Sequence, residues 1–136
     1  FNTIEGHPNE LNPNKRPVHT IIPAMISKDN KLIGSFGVMG GQYQAAGHAY
    51  VLSQMIDLGL NPQLALDCAR IFPNNNVLDI ENEFDLDLIN ELKLKGHKIN
   101  YPVPPIGGGQ MIFINEEKNI LIGASDWRKD GFAIGY

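Results

Sequence analysis

The sequence has a single cysteine, Cys68, so no disulfide can form within the chain and no cysteine-based metal cluster can be built. This scarcity favours a reducing compartment, and we expect a cytoplasmic location. Cys68 falls in a predicted helix, where a cysteine is more often a buried, small apolar residue than a nucleophile. We therefore expect no chemistry from it.

Long apolar runs and clusters of basic residues are also missing. No stretch approaches the roughly 20 apolar residues that cross a bilayer, and residues 1–5 lack the basic and apolar regions of a signal peptide. A net charge of −4 with a pI near 5.5 provides no positive surface for nucleic acid. We therefore expect neither a membrane anchor nor a nucleic-acid partner.

Metal-ligand spacing is missing from the sequence as well. His7, His48 and His97 stand far apart and form no ligand motif, so we expect no metal and no cofactor. His48 and His97 are predicted to lie on a helix surface or to cap a helix. The acidic residues between positions 81 and 87 are predicted to form a solvated face and a helix N-terminus.

The chain does contain enough apolar material for a core. Hydrophobic residues make up 43% of its 136 residues, which is typical of a globular protein, so residues 1–136 are treated as a single domain. Residues 1–20 are rich in proline and asparagine and show no periodicity. They are predicted to be irregular, either as a long loop or as an edge that leans on a missing partner.

Hydrophobic periodicity predicts an α+β fold. Two β-hairpins are predicted, one over residues 21–38 with a turn at 28–31, the other over residues 110–124 with a turn at 115–119. Helices are predicted over residues 43–58, 63–70 and 85–94, with a short strand at 77–81. The first hairpin is almost continuously apolar, which indicates that both of its faces are covered. We expect helices packed on a mostly antiparallel sheet.

Two glycine-rich turns are candidates for ligand contact. Gly40 and Gly41 separate a predicted strand from a predicted helix, so their amides and that of Gln42 could hold a developing negative charge; the alternative is an ordinary tight turn. Residues 107–109 could cradle an anion in the same way. For them, a connection forced by close approach of the backbone is the preferred interpretation.

Three stretches carry a resemblance to a known family: Lys-Arg-Pro-Val-His-Thr-Ile-Ile-Pro-Ala-Met at residues 15–25, Gly-Val-Met-Gly-Gly-Gln at 37–42, and Gly-Ala-Ser-Asp-Trp-Arg-Lys-Asp-Gly-Phe-Ala-Ile-Gly-Tyr at 123–136. Nearly end to end, the chain resembles the C-terminal part of the small subunit of gamma-glutamyltransferases (gamma-glutamyltranspeptidases), in the subgroup often called gamma-glutamyltransferase-like. The resemblance implies part of the αββα sandwich of N-terminal nucleophile hydrolases.

The resemblance also implies a reaction. Such enzymes are made as one precursor that cuts itself and exposes a threonine, whose hydroxyl attacks a γ-glutamyl amide of the glutathione type; the acyl group then passes to water or to an amino acid or peptide amine. The nucleophile is not in this chain, because Phe1 comes first and the amine of Thr3 is tied up in a peptide bond. We therefore expect an inactive fragment whose partners are the missing upstream part of the small subunit and the large subunit.

Four residues are assigned to the site by the resemblance. Gly40 and Gly41 match the oxyanion hole, and His19 and Thr20 match two serines that hold the α-carboxylate of the γ-glutamyl group. Thr20 keeps a hydroxyl donor. His19 departs from the serine pattern, although its imidazole N–H can still donate to a carboxylate, and the alternative is a loop histidine that bonds the backbone.

The match is incomplete just before the glycines, where the family usually has Ser-Pro and this chain has Val38-Met39. Residues 125–128 match a Ser-Asp-X-Arg segment, and we expect Asp126 to organise the end of the chain rather than to act in catalysis.

Two other interpretations stay open. A related acylase, acting on glutaryl or cephalosporin side chains, would share the fold and the nucleophile. A non-catalytic assembly domain would fold by itself or dimerise through the surface that its partner normally covers. An isolated fragment is expected to expose an apolar face and to form homodimers.

Overall fold

The computed structural model describes residues 2–136, and its main element is an antiparallel four-stranded sheet. In spatial order, its strands are β1 (Pro23–Lys28), β2 (Lys31–Met39), β6 (Gly108–Asn115) and β7 (Ile120–Ser125). A small second sheet contains β3 (Ile71–Asn74), β4 (Val77–Ile80) and β5 (Ile99–Asn100). The helices are α1 (Tyr43–Ile56), α2 (Pro62–Asp67) and α3 (Leu86–Leu94), and a 3-10 turn spans Trp127–Lys129. The predicted α+β class is confirmed.

Both predicted hairpins are present, and their limits follow from local chemistry. β1 begins at Pro23 rather than at residue 21, because a proline cannot donate to the sheet and is tolerated at a strand start. Asp29 and Asn30 make the first turn with φ angles of 51° and 61°. Positive φ at both central residues gives the turn a twist that matches the flanking strands.

The hairpin of β3 and β4 was not expected in full, because Pro73 lies inside β3. Proline is accepted there since β3 is an edge strand. Asn75 and Asn76 form its turn with φ angles of 49° and 61°. β5 was also missed, because two residues are too few to show a period.

All three predicted helices exist, with different ends. α1 ends at Ile56, two residues earlier than predicted, and α2 ends at Asp67 instead of Arg70. The backbone becomes extended at Cys68. This cysteine is therefore outside the helix and half-buried, whereas a buried position within the helix was expected. Asn61 caps α2 as expected, since its side chain accepts a hydrogen bond from the N–H of Leu64 at 2.9 Å. No helix in residues 2–136 is long and apolar enough to span a bilayer.

The core lies on one face of the four-stranded sheet. There α1 and α2 pack against the sheet, and the buried side chains include Phe36, Val51, Leu66 and Met111. Within residues 2–136, Met25, Ile112 and Leu121 are exposed on the opposite face, which the C-terminal tail approaches at Gly123, where an added Cβ would lie 3.3 Å from the Cβ of Ala133. The expectation that both faces of the first hairpin are covered is therefore wrong for the described residues.

Candidate functional site

A cleft of about 600 Å³ runs between the start of β1 and the end of β2. It brings together three of the four predicted site residues, Thr20, Gly40 and Gly41. His19 is exposed and lies outside the lining. The other lining residues are Ile21, Ile22, Pro23, Phe36, Gly37, Val38, Met39, Gln44 and Gln110.

Gly40 and Gly41 form the turn that leads from β2 into α1. Their φ angles are 132° and 60°, and the first of these is closed to ordinary L-residues. Their carbonyls accept hydrogen bonds from the N–H groups of Tyr43 and Gln44, both at 3.1 Å. Within residues 2–136, the N–H groups of Gly40, Gly41 and Gln42 donate no hydrogen bond to a backbone carbonyl of the turns and loops. Three donors are thus available at the N-terminus of α1, an arrangement that suits a negative charge.

The glycine turn is backed by Gly107. A Cβ on Gly40 would lie 2.9 Å from the Cα of Gly107, and a Cβ on Gly107 would lie 2.6 Å from the carbonyl oxygen of Met39. Close backbone approach therefore requires glycine at both positions, as preferred for residues 107–109 from the sequence. The position of Gly107 consequently determines the position of the glycine turn at Gly40 and Gly41.

Gly107 is held by bonds at both ends of its loop. On one side, the Ile106 N–H donates to Glu81 at 3.0 Å and its carbonyl accepts from Arg70 at 2.7 Å. On the other side, the Gly109 N–H donates to the Asp126 carboxylate at 2.9 Å and its carbonyl accepts from the Asp126 N–H at 3.0 Å. Three of these four bonds come from charged side chains, which hold the backbone on both sides of Gly107.

These side chains form a buried charge network of Arg70, Glu81, Asp126 and Arg128. Arg70 pairs with Asp126, both with side chains fully shielded, and Arg128 pairs with Glu81 at 2.6 Å and with Asp126 at 3.3 Å. Burial alone would lower the pKa of Arg128, but the hydrogen bonds and charges of Glu81 and Asp126 outweigh burial and raise it. Arg128 therefore stays charged.

The network corrects one expectation and supports another. Glu81 is not part of a solvated acidic face. Its carboxylate forms an ion pair with Arg128 and accepts hydrogen bonds from the backbone N–H groups of Ile106 and Arg70, the latter at 2.9 Å. Asp126 has the structural role expected of it. Sequence reasoning gave no role to Arg70, although a lone arginine between apolar residues 69 and 71 is a recognisable signal for a buried partner.

Tyr43 joins the glycine turn to the network. Its ring lies under the turn, where a Cβ on Gly107 would approach it to 2.6 Å, and the Arg70 guanidinium lies 5.8 Å from the ring centroid. Burial raises the pKa of Tyr43 to about 12, so the hydroxyl is neutral at physiological pH. Tyr43 therefore contributes to packing and does not act as an acid or a base.

His48 is buried, which corrects its predicted place on a helix surface. Its Nδ1 bonds the carbonyl of Gln44 at 2.6 Å, and its Nε2 accepts from the N–H of Val38 at 3.3 Å. The imidazole therefore ties α1 to the end of β2. His97 lies at the end of α3, where its N–H bonds the carbonyl of Leu92 at 3.1 Å. Residues 2–136 contain no group of three or more His, Cys, Asp or Glu placed to hold a metal ion.

The family model for gamma-glutamyltranspeptidase matches residues 1–136. The chain belongs to the gamma-glutamyltranspeptidase family. It is similar to the glutathione hydrolase-like YwrD proenzyme of Bacillus subtilis (strain 168), with 32% identity over 99% of this chain and 27% of that protein. It is similar in structure to cephalosporin acylase from Bacillus halodurans, with 40% identity and a TM-score of 0.75 over 94% of this chain and 24% of that one. Gamma-glutamyltranspeptidase from Pseudomonas nitroreducens shares the fold, with 22% identity and a TM-score of 0.76 over 98% of this chain and 69% of that one.

Membership of the gamma-glutamyltranspeptidase family confirms the resemblance read from the sequence. The chain spans about a quarter of the length of the curated relatives it matches, and the two relatives from Bacillus subtilis (strain 168) are proenzymes. The family contains acylases as well as glutathione hydrolases.

The buried charge network generates a prediction about stability. Asp126→Asn in the complete gene product removes one buried charge and leaves Arg70 without its counter-ion, so we expect a loss of about 3–5 kcal/mol in the free energy of unfolding. The matched control is Glu116→Gln, which breaks the exposed pair of Lys31 and Glu116 at 3.0 Å and is expected to cost under about 1 kcal/mol. Urea unfolding measures both. Equal losses for the two variants would contradict the importance of the buried pair.

Proposed function

We propose that the longer protein to which this chain belongs cleaves γ-glutamyl amides of the glutathione type and transfers the acyl group to water or to an amino acid or peptide amine. The observation that carries this proposal is the cleft that Thr20 shares with Gly40 and Gly41. The Thr20 hydroxyl can orient an acyl group and the N–H groups of the glycine turn can hold an oxyanion, which are two contacts that an acyl-transfer site uses in addition to its nucleophile. The similarity of the chain to glutathione hydrolase and glutathione hydrolase-like proenzymes supports the choice of a glutathione-type substrate.

In the proposed reaction, this chain stabilises charge and does not supply the nucleophile. The hydroxyl oxygen of an N-terminal threonine in the upstream part attacks the amide carbon, and the threonine's own amine takes the hydroxyl proton. The carbonyl oxygen becomes an oxyanion that accepts hydrogen bonds from the amides of Gly40 and Gly41. The C–N bond then breaks, the proton goes to the leaving amine, and water or another amine releases the acyl group from the threonine.

Thr20 is proposed to orient the acyl group by donating its hydroxyl to the α-carboxylate. The exposed His19 lies next to it and is proposed to add an imidazole donor from outside the described cleft. A second cleft of about 510 Å³, which includes Phe72 and Pro104, also borders Gly40. Two clefts that share Gly40 suit a reaction with an acyl group and an amine acceptor.

The partners of this chain are proposed to be the rest of the small subunit and the large subunit. The exposed face of the four-stranded sheet, which carries Met25, Ile112 and Leu121 at 76%, 52% and 69% exposure, supports this proposal. A second sheet packed there would complete an αββα sandwich and bury that surface. In the absence of those partners, the same face is proposed to pair two copies of the chain.

A related acylase is the second candidate. Its support is the 40% identity to cephalosporin acylase from Bacillus halodurans, together with His19 at a position where the family has serine. The two candidates share the nucleophile and the oxyanion hole, and their acyl groups share the carboxylate that residues 19 and 20 are proposed to bind. They differ in the α-amino group, which a γ-glutamyl group has and a glutaryl group lacks.

Paired substrates test the proposal. The complete gene product is assayed with γ-glutamyl-p-nitroanilide and with glutaryl-p-nitroanilide, which lacks the α-amino group. The proposed function predicts a higher kcat/KM for the γ-glutamyl compound, since its amino acid head is recognised. Preference for the glutaryl compound would favour the acylase, and turnover of neither by a processed protein would contradict both.

A pair of glycine variants tests the role of the turn. Gly41 and Gly59 have φ angles of 60° and 67°, and an added Cβ meets no described atom within 4 Å at either place. Alanine therefore introduces comparable backbone strain at both, about 1 kcal/mol, but only Gly41 lies in the cleft. We expect Gly41→Ala to lower kcat by about 10-fold to 100-fold, because a displaced amide weakens the oxyanion contact. Gly59→Ala should leave kcat unchanged, and equal effects on kcat would contradict the assignment.

A further inference from the structure

Gln44 makes two hydrogen bonds to the segment that carries Thr20. Its side-chain Nε2 donates to the carbonyl of Thr20 at 2.8 Å, and its Oε1 accepts from the N–H of Ile22 at 3.2 Å. The partners fix the orientation of the amide, since one is an obligate acceptor and the other an obligate donor. The side chain thus pairs with the backbone as a neighbouring strand would.

Residues 18–22 have few other anchors. They precede β1, and Ile21 and Ile22 are 66% and 44% exposed. Apart from the strand ladder that begins at Pro23, residues 18–22 make no hydrogen bonds within residues 2–136 other than the two to Gln44. The place of Thr20 in the cleft therefore depends on Gln44.

Gln44 is itself held firmly next to the glycine turn. It lies in the first turn of α1, where its N–H bonds the carbonyl of Gly41 at 3.1 Å and its carbonyl bonds His48 at 2.6 Å. His48 is buried, packs on Phe36 with ring centroids 5.0 Å apart, and accepts from the N–H of Val38. The first turn of α1 thus connects the glycine turn with residues 18–22.

We propose that Gln44 is a positioning residue that sets acyl-group specificity by holding Thr20 at a fixed distance from Gly40 and Gly41. This inference rests on the proposed function. Loss of the side chain frees residues 18–22 but leaves the glycine turn in place, because the turn depends on Gly107 and on backbone bonds. The effect therefore falls on recognition of the acyl head group and not on stabilisation of the oxyanion.

The kinetic test compares two acyl donors in the complete gene product. γ-Glutamyl-p-nitroanilide carries the head group, and butyryl-p-nitroanilide has the same acyl chain without it. For Gln44→Leu we expect kcat/KM for the γ-glutamyl donor to fall by about 10-fold to 100-fold, mainly through KM, with the butyryl donor changed by less than about threefold. A parallel fall for both donors, or no fall for either, overturns the inference.

Two further variants refine the kinetic comparison. Gln44→Glu keeps an acceptor for the N–H of Ile22 but places a carboxylate against the Thr20 carbonyl, so an intermediate loss is expected. Gln54→Leu is the matched control on the same helix, where the native side chain accepts only from the Cys68 thiol at 3.6 Å among the described residues. It should leave the ratio of the two donors unchanged.

A measurement without substrate separates this inference from the proposed function. The Ile22 N–H is the amide of this segment that Gln44 protects, so hydrogen exchange followed by mass spectrometry on peptides that include Ile22 should show that amide exchanging about 3-fold to 10-fold faster in Gln44→Leu, with residues 40–47 unchanged. Unchanged exchange at Ile22 overturns the positioning role whatever the activity. Faster exchange in a protein that turns over neither donor keeps the positioning role and rejects the proposed function.

Discussion

The buried charge network is the constraint on which the other features of this chain depend. Arg70 lies directly before β3, Glu81 follows β4, and Asp126 and Arg128 lie at the 3-10 turn after β7. The pairs of Arg70 with Asp126 and of Arg128 with Glu81 therefore join the C-terminal end of the chain to its middle. Such pairs contribute little net stability compared with apolar packing, because both charges lose their hydration. What they provide here is geometry, since the same carboxylates and guanidinium groups hold the backbone at Ile106 and Gly109.

That geometry reaches the cleft through backbone contact. The loop held by the network carries Gly107, Gly107 abuts Gly40, and the glycine turn opens into α1, whose first turn holds the segment around Thr20 through Gln44. The charged side chains that determine the arrangement therefore lie behind the cleft, while the cleft itself presents the glycine turn, the Thr20 hydroxyl and the amide side chains of Gln44 and Gln110. This division suits the proposal that the chain stabilises charge for a nucleophile in another part of a longer protein.

Much of this could be predicted from the sequence, because local rules govern it. The hairpins, the Asn61 cap and the α+β class follow from turn residues, capping and periodicity. The predictions missed β3, β5 and the end of α2, where an edge proline, a two-residue strand and a tertiary pair override local preference. Glu81 and His48 were misplaced for the same reason: their partners, Arg128 and Val38, are set by the fold and not by spacing. Gly40 and Gly41 were candidates from their turn between strand and helix as well as from the resemblance, whereas His19 and Thr20 came from the resemblance alone. The structure adds that Thr20, Gly40 and Gly41 border one cleft.

The central claim is that this chain serves a threonine nucleophile that it does not contain, and the N-termini of the mature protein test it most directly. We would express the complete gene and determine the intact mass and first residue of every purified subunit. The account predicts two pieces, of which the smaller begins with threonine and contains residues 1–136. A single uncut chain, or cleavage before a residue without a nucleophilic side chain, would contradict the account and leave a non-catalytic assembly domain as the explanation.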